Sequence, residues 1–261
     1  MQRVLDWGTT LVFAPVFAMT LLAFEVIQRV AKCFGERSHD YAVGAMCSSL
    51  ATAFRLVGTR VEVDRAPEVA PHTPYLIVAN HQSLFDIVIL GHLFFTNFPK
   101  FVSKRELARG IPSVAYNLKH GGNALIDRAD GAQARASITA LGRRVESKGV
   151  SAVIFPEGTR ARSGLLRVFK PRGTTTLLAS APATPIVAVT IENSWKLMRW
   201  NFLPVPFGIN VRVRIDAPIV RSADEDHEQM VVELRARIAQ NLAAMRGMDG
   251  DPPPAAMREA S

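Results

Sequence analysis

Short apolar runs alternate with helix-like stretches along the chain after residue 58, and few folds accommodate that alternation. Each run has four to seven residues, the usual length of a strand. The predicted strands are 60–63, 75–79, 100–103, 123–127, 151–155, 185–191 and 210–215. The predicted helices are 84–94, 105–110 with 112–120, 131–147 and 173–180. Strands that alternate with helices predict an α/β fold, with a largely parallel central sheet flanked by helices.

The first 58 residues have a different pattern, with two apolar stretches separated by a polar break. The stretch from Trp7 to Phe24 has 18 residues without a charge, close to the ~20 that a helix needs to cross a bilayer core. It fits a signal peptide, a spanning helix or a helix embedded in one leaflet. A second apolar stretch, 41–58, follows the polar residues 35–40. The two stretches predict a membrane-associated helical hairpin, and the alternative is a helical pair packed on the core.

These patterns divide the chain into three parts. We expect an N-terminal membrane-associated helical hairpin at 1–58, an α/β domain at 59–247 and a disordered tail at 248–261. The last helix of the α/β domain is predicted to open at Ser222, with Glu225 completing a capping box.

The net charge of +8 indicates an anionic partner: nucleic acid, phospholipid headgroups or an acidic protein. The segment 100–172 holds 15 Lys and Arg against 5 Asp and Glu, so the basic character lies in the middle of the chain. Solvated helix faces are the alternative source of this charge. The two cysteines, Cys33 and Cys47, form no CxxC pair and have no His at metal-ligand spacing. The chain also lacks Gly-rich phosphate loops of the Walker or Rossmann type and a G-x-S-x-G nucleophile elbow.

The stretch 80-NHQSLFD-86 directly follows the predicted strand 75–79. His81 would lie at the carboxyl end of that strand, where open α/β sheets bind ligands. Asp86 would lie in the first turn of the next helix and could reach back to His81. A carboxylate on Nδ1 fixes the tautomer and leaves Nε2 as a base. The alternative is a helix cap with an ordinary hydrogen-bond partner.

Two further polar blocks follow predicted strands. In 155-FPEGTR-160, Gly158 allows a tight turn and Arg160 offers a planar fork suited to phosphate. A surface salt bridge between Glu157 and Arg160 is the alternative. In 103-SKREL-107, Lys104 occupies another strand end, or simply begins an amphipathic helix. Three such blocks would converge on one edge of a parallel sheet.

With these blocks in view, the chain resembles the 1-acylglycerol-3-phosphate acyltransferase family, within the wider glycerolipid acyltransferases. NHQSLFD fits the N-H-x-S-x-x-D signature of that family. SKREL followed by 122-GNALIDR-128 fits its second block, FPEGTR fits the third, and the proline-led strand 184-TPIVAVTI-191 fits the fourth. The resemblance covers roughly residues 50 to 220. The serine usual after E-G-T-R is replaced by Ala161, with Ser163 two residues on.

The resemblance implies transfer of an acyl group from a thioester, acyl-CoA or acyl carrier protein, to the sn-2 hydroxyl of 1-acyl-glycerol-3-phosphate, giving phosphatidate. His81 would be the general base and Asp86 would orient it, with no acyl-enzyme. Lys104, Glu157, Gly158, Thr159 and Arg160 would bind the substrate. Further phosphate or donor contacts would come from Arg128, Lys170 and Arg172.

The resemblance also implies partners and a location. They are membrane lipids, lysophosphatidate and the acyl thioester, with no nucleic acid, obligate protein partner, metal or organic cofactor. We expect a membrane-associated enzyme with its active site facing the cytosol. The alternatives are the same chemistry on another lysolipid, such as lyso-ornithine lipid, and a non-catalytic membrane-binding relative.

Overall fold

The computed structural model describes residues 2–200, 203–222 and 224–249. Its sheet contains seven strands. They are β1 (Arg60–Arg65), β2 (Leu76–Ala79), β3 (Lys100–Lys104), β4 (Ala124–Ile126), β5 (Ala152–Ile154), β6 (Ile186–Glu192) and β7 (Asn210–Ile215). Their order across the sheet is β1-β7-β6-β2-β5-β3-β4. Only the β6–β7 pair among these strands is antiparallel. The predicted α/β fold with a largely parallel sheet is therefore confirmed.

Helices cover both faces of the sheet. They are α1 (Gln2–Cys33), α2 (Glu36–Ala53), α3 (Phe85–Leu93), α4 (Val114–His120), α5 (Gly131–Lys148), α6 (Pro171–Ser180) and α7 (His227–Asp249). Short 3₁₀ turns occupy Phe54–Val57, Phe95–Asn97, Arg105–Ala108 and Ser194–Met198.

The side chains of β2 alternate between two apolar cores, as the pleat of a strand requires. Ile77 and Ala79 face a core that includes Phe13 of α1, Phe54, and the α3 residues Phe85, Ile89 and Leu90. Leu76 and Val78 face the other core, with Ile138 and Leu141 of α5, Leu177 of α6 and Leu234 of α7. The helices α1 to α3 and the helices α5 to α7 therefore lie on opposite faces of the sheet.

The N-terminal segment differs from its prediction in one respect. Helix α2 begins at Glu36, so most of the predicted polar break at 35–40 is helical and only the Phe34–Gly35 turn separates α1 from α2. Gly35 permits this turn because its φ of 111° is unfavourable for other residues. His39 and Asp40 are buried in the first turns of α2. The sequence predicts a loop for these polar residues, because it does not show which face of a helix is covered.

Helix α1 exposes a large apolar surface. Val4, Leu11, Met19, Leu22 and Val26 are each more than half exposed. Among the described residues, α1 is the one helix long and apolar enough to cross a membrane. The length and apolar composition of α1 support membrane association, either as a spanning or as an interfacial helix. That both α1 and α2 form a membrane-associated hairpin stays a prediction, as does the division of the chain into three parts.

The last helix begins later than expected. The N–H groups of Glu228 and Gln229 donate to Asp226 Oδ1 at 2.9 and 3.2 Å, so Asp226 is the cap of α7. The predicted capping box is wrong, because Glu225 is paired with Arg221. Residues 250–261 of the predicted tail lie outside the described part of the chain.

Candidate active site

His81 and Asp86 meet at the carboxyl end of β2. The strand ends at Ala79, and Asp86 stands in the first turn of α3. His81 Nδ1 lies 2.8 Å from Asp86 Oδ2. The imidazole of His81 also stacks on Phe155, with the ring centroids 4.1 Å apart. The predicted pairing of these two residues is present, on the edge of the sheet where it was expected.

The Asp86 carboxylate is fully buried and fully hydrogen-bonded. Its Oδ2 accepts from the backbone N–H groups of Gln82 and Ser83 at 2.7 and 2.8 Å. Its Oδ1 accepts from the Ser194 hydroxyl at 2.5 Å. An ionised carboxylate only accepts hydrogen bonds, so His81 Nδ1 must donate to it. The side chain of His81 is 13% exposed, and Nε2 has no hydrogen bond to any described residue.

A buried polar network extends from this pair to the last helix. Gln82 Nε2 donates to Glu192 Oε2 at 3.2 Å. Arg246 of α7 donates to both oxygens of Glu192, from Nε at 3.1 Å and from Nη2 at 2.8 Å. Because each of these groups is buried and paired, the loop that carries His81 is held rigidly. Sequence reasoning missed Ser194, Glu192 and Arg246, since nothing in the local pattern of a distant strand or helix indicates contact with this loop.

Glu157 fixes the same loop from the other side. Its Oε1 accepts from His81 N at 2.7 Å and its Oε2 from Arg167 N at 3.0 Å. Ala161 N donates to His81 O at 2.7 Å, so His81 is held at both of its backbone groups. Burial raises the pKa of the Glu157 carboxyl above its usual value, although these hydrogen bonds oppose the shift. Glu157 is 1% exposed and both its oxygens are occupied. The structure therefore favours a positioning role, in place of the predicted contact with glycerol phosphate.

The other residues of the predicted substrate site lie around the pair. Gly158 turns with a φ of 68°, and Lys170 crosses close to it, with Cδ 3.6 Å from where a β-carbon on Gly158 would stand. Thr159 is exposed, and Arg160 is partly buried beside Met198. Burial lowers the pKa of Arg160 from its usual value, and the nearby Arg162 adds to this effect.

The side chains of Lys104, Arg128 and Arg172 make no hydrogen bond or ion pair with His81 or Asp86. All three are exposed. Within the described part of the chain, the side chains of these three residues have no hydrogen bond or ion pair. Lys104 closes β3 and Arg128 follows β4, so the parallel sheet places them toward the same edge as His81. Their predicted contacts with phosphate or donor stay predictions.

A largely apolar cavity of about 210 Å³ lies under the start of α3. It is bordered by Leu84 and Phe85, directly before Asp86, and by residues of α1, α2, α3 and β3. Lining residues include Phe17, Met46, Leu50, Val88 and Phe101. Asp40 and Lys100 line it too, near the amino ends of α2 and β3, and they form a buried ion pair. The cavity therefore reaches the two residues that precede Asp86 at the start of α3.

Comparison with known proteins agrees with this arrangement. Residues 60–192 match a family model described as Acyltransferase. A chloroplastic 1-acyl-sn-glycerol-3-phosphate acyltransferase of Brassica napus is 33% identical over 172 residues, which are 65% of this chain and 47% of that protein. The enzyme of that name from Escherichia coli is 27% identical over 218 residues, covering 79% of this chain and 85% of that protein. The chain spans about half the length of the plant relatives it matches.

The fold also matches a solved structure. The crystal structure of a 1-acyl-sn-glycerophosphate acyltransferase from Thermotoga maritima superposes with a TM-score of 0.76 and 19% identity. The match covers 94% of this chain and 98% of that one. At this identity the likeness establishes the fold.

Proposed function

The chain belongs to the acyltransferase family, and we propose that it acylates the sn-2 hydroxyl of 1-acyl-glycerol-3-phosphate to give phosphatidate. The acyl group comes from a thioester, either acyl-CoA or acyl carrier protein. The observation that carries this proposal is the His81–Asp86 pair, in which Nδ1 is 2.8 Å from the carboxylate and Nε2 has no hydrogen bond to a described residue. The names of the relatives support the choice of lysophosphatidate as acceptor.

In the proposed reaction, His81 Nε2 takes the proton of the acceptor hydroxyl while the hydroxyl oxygen attacks the thioester carbonyl carbon. The tetrahedral intermediate then collapses, the C–S bond breaks, and the imidazolium returns the proton to the thiolate. Asp86 holds the tautomer and stabilises the imidazolium. A positioned base of this kind contributes about 10²- to 10⁴-fold to the rate. No serine or cysteine of the enzyme is needed as a nucleophile, because the substrate supplies the hydroxyl.

The two ends of the substrates have different surroundings. The acyl chain enters the apolar cavity, where each buried methylene contributes about 0.8 kcal/mol. The phosphate of the acceptor lies against Arg160 and Lys104, with Gly158 and Thr159 shaping the turn and Lys170 beside it. An arginine fork suits a phosphate because two parallel N–H groups meet two oxygens. Arg128 and Arg172 extend this basic surface.

The enzyme works at a membrane surface in this proposal, with the active site facing the cytosol. The exposed apolar residues of α1 provide the attachment, and the basic edge faces anionic lipid.

The first experiment is acyl transfer by the full chain reconstituted with vesicles. Palmitoyl-CoA and palmitoyl–acyl carrier protein are each offered with a panel of lysolipids, and His81→Ala is assayed beside the wild type. Transfer to lysophosphatidate that His81→Ala loses supports the proposal. Transfer to a different lysolipid keeps the mechanism and replaces the acceptor. If wild-type protein transfers to none of them, the proposal is rejected.

Arg160→Ala tests the phosphate role. We expect an apparent KM for lysophosphatidate raised about tenfold or more, because a charged hydrogen bond to phosphate contributes about 1.5–3 kcal/mol. Arg162→Ala, an exposed arginine in the same loop, is the matched control. Equal KM values for the two variants would remove Arg160 from the phosphate site.

A further inference from the structure

The outward face of α5 carries a row of cations. Arg135, Arg143, Arg144 and Lys148 line a shallow groove along this helix. Small residues separate them, namely Gly131, Ala132, Ala136, Thr139, Ala140 and Ser147. The groove therefore combines positive charge with small side chains, which leave room for another helix to approach.

Much of this charge is not neutralised within the molecule. Glu36 of α2 is shared by Arg144 at 2.9 Å and Lys148 at 3.8 Å. Arg135 and Arg143 are exposed, and their side chains have no hydrogen bond or ion pair within residues 2–200, 203–222 and 224–249. Cations without internal partners attract anions from solution and speed their association.

The position of α5 argues against lipid as the anion. The inner side of α5 packs on the face of the sheet that carries Leu76 and Val78. Helix α1, with its exposed apolar residues, packs on the opposite face through Phe13. The start of the groove therefore lies across the sheet from α1, where a soluble partner can reach it, while its far end meets α2 at Glu36.

The spacing of the cations argues for a protein partner. From Arg135 to Lys148 the helix rises about 20 Å, at ~1.5 Å per residue. A phosphate group, or the phosphates of one nucleotide, would engage only part of this length. Carboxylates spaced along an acidic helix would extend over the whole row of cations. The axes of packed helices approach to about 8–10 Å, depending on the side chains at the contact.

We propose that the α5 groove is the docking surface for an acidic, helical acyl carrier protein that delivers the thioester. This inference rests on the proposed function, because it names the carrier of the donor. Helix α5 begins just after β4 ends, and β4 runs parallel to the strands beside β2. The start of the groove is therefore at the same edge of the sheet as His81, so a docked carrier places its acyl arm beside the site.

The test compares two donors in the Arg135→Glu/Arg143→Glu variant of the full chain. For palmitoyl–acyl carrier protein we expect KM to rise about tenfold or more, while kcat/KM for palmitoyl-CoA changes less than about twofold. The matched control is Arg237→Glu. Arg237 is an exposed residue of α7 whose side chain has no hydrogen bond or ion pair with the described residues. This control should leave the KM for both donors unchanged. Equal losses for the two donors, or no loss with the carrier, would overturn the proposal.

A binding measurement separates this inference from the proposed function. Fluorescently labelled palmitoyl–acyl carrier protein is titrated with wild type and variant, and anisotropy is recorded at rising salt. Wild-type binding that the variant and salt both abolish supports the groove even if no acceptor is acylated. Absence of wild-type binding refutes it even if palmitoyl-CoA is a good donor. Loss of vesicle binding by the variant, with carrier binding retained, would assign the groove to lipid.

Discussion

Among the described residues, two His–Asp pairs bring a ring nitrogen within 4 Å of a carboxylate oxygen, and their surroundings differ. His81 and Asp86 stand at the carboxyl edge of the sheet, with Nδ1 and Oδ2 2.8 Å apart. His39 and Asp40 stand at the start of α2, where the nearest ring nitrogen and carboxylate oxygen are 3.9 Å apart. Only the first pair has its ring nitrogen and carboxylate oxygen within hydrogen-bond distance.

The surroundings explain the difference. Asp86 Oδ2 accepts from the backbone N–H groups of Gln82 and Ser83, and Oδ1 accepts from the Ser194 hydroxyl, which fixes Oδ2 beside His81 Nδ1. Asp40 is held by the Lys100 ammonium, and neither nitrogen of His39 has a hydrogen bond within the described residues. His39 is also completely buried, whereas His81 keeps part of its ring open. A His and an Asp close in sequence therefore become a base only when other groups orient the carboxylate and leave Nε2 accessible.

The largest expected difference between the pairs is in activity. His81→Ala should lower kcat about 10²- to 10⁴-fold, because it removes the base. His39→Leu should leave kcat within about twofold and change the free energy of unfolding by about 1 kcal/mol, since the ring makes no hydrogen bond and lies 3.9 Å from the Asp40 carboxylate. Steady-state kinetics and urea titration measure both. A large loss of activity in His39→Leu would contradict the expectation that only the His81–Asp86 pair takes part in the reaction.

The next effect concerns stability. Asp40→Ala leaves the Lys100 ammonium buried without its partner, which should lower the free energy of unfolding by about 3–5 kcal/mol. The double variant Asp40→Leu/Lys100→Met should recover most of this loss, because no buried charge remains. Denaturant unfolding of wild type, single variant and double variant gives the answer. A double variant as unstable as Asp40→Ala would mean that the pair stabilises the fold through more than mutual neutralisation.

A smaller effect should follow from removing one hydroxyl beside Asp86. Ser194→Ala deletes a hydrogen bond to a carboxylate, which contributes about 1.5–3 kcal/mol, so kcat should fall about tenfold to a hundredfold. The KM for lysophosphatidate should stay unchanged, since Ser194 is buried and touches no substrate. Thr190→Val is the matched control, because Thr190 is an equally buried hydroxyl of β6 that bonds Asn241 instead. A variant Ser194→Ala with wild-type kcat would show that the backbone amides alone orient Asp86.

The smallest effect is a pH dependence of stability. Burial alone would raise the pKa of Asp40, but the Lys100 ammonium and the His39 ring outweigh it and hold the pKa below the ordinary 3.8. A depressed pKa means that the folded carboxyl releases its proton more readily than the unfolded one. The resulting stabilisation is complete above the unfolded pKa and is lost as pH falls through the folded pKa. The Tm of Asp40→Leu/Lys100→Met should therefore fall less steeply than wild type below about pH 4. Parallel Tm curves would assign the acid sensitivity to other carboxylates.

Much of the fold followed from periodicity, because buried parallel strands have an unmistakable apolar character. All seven predicted strands are present within a few residues of their bounds. The His81–Asp86 contact was predictable as well, since five residues across a strand-to-helix turn bring the two together. Its supports were not, because Ser194 is 108 residues from Asp86 in the chain. Glu157 was assigned to the substrate for a related reason: a motif shows which residues occur together, and burial decides which of them face the ligand.

The link between Arg246 and Glu192 also constrains the order of events during synthesis. Strands β2 and β6, and with them His81, Asp86 and Ser194, leave the ribosome before α7 exists. Glu192, which holds Gln82 beside the base, then has its buried charge unmatched until Arg246 arrives. The loop that carries His81 would thus gain the last of its buried supports only when α7 is complete.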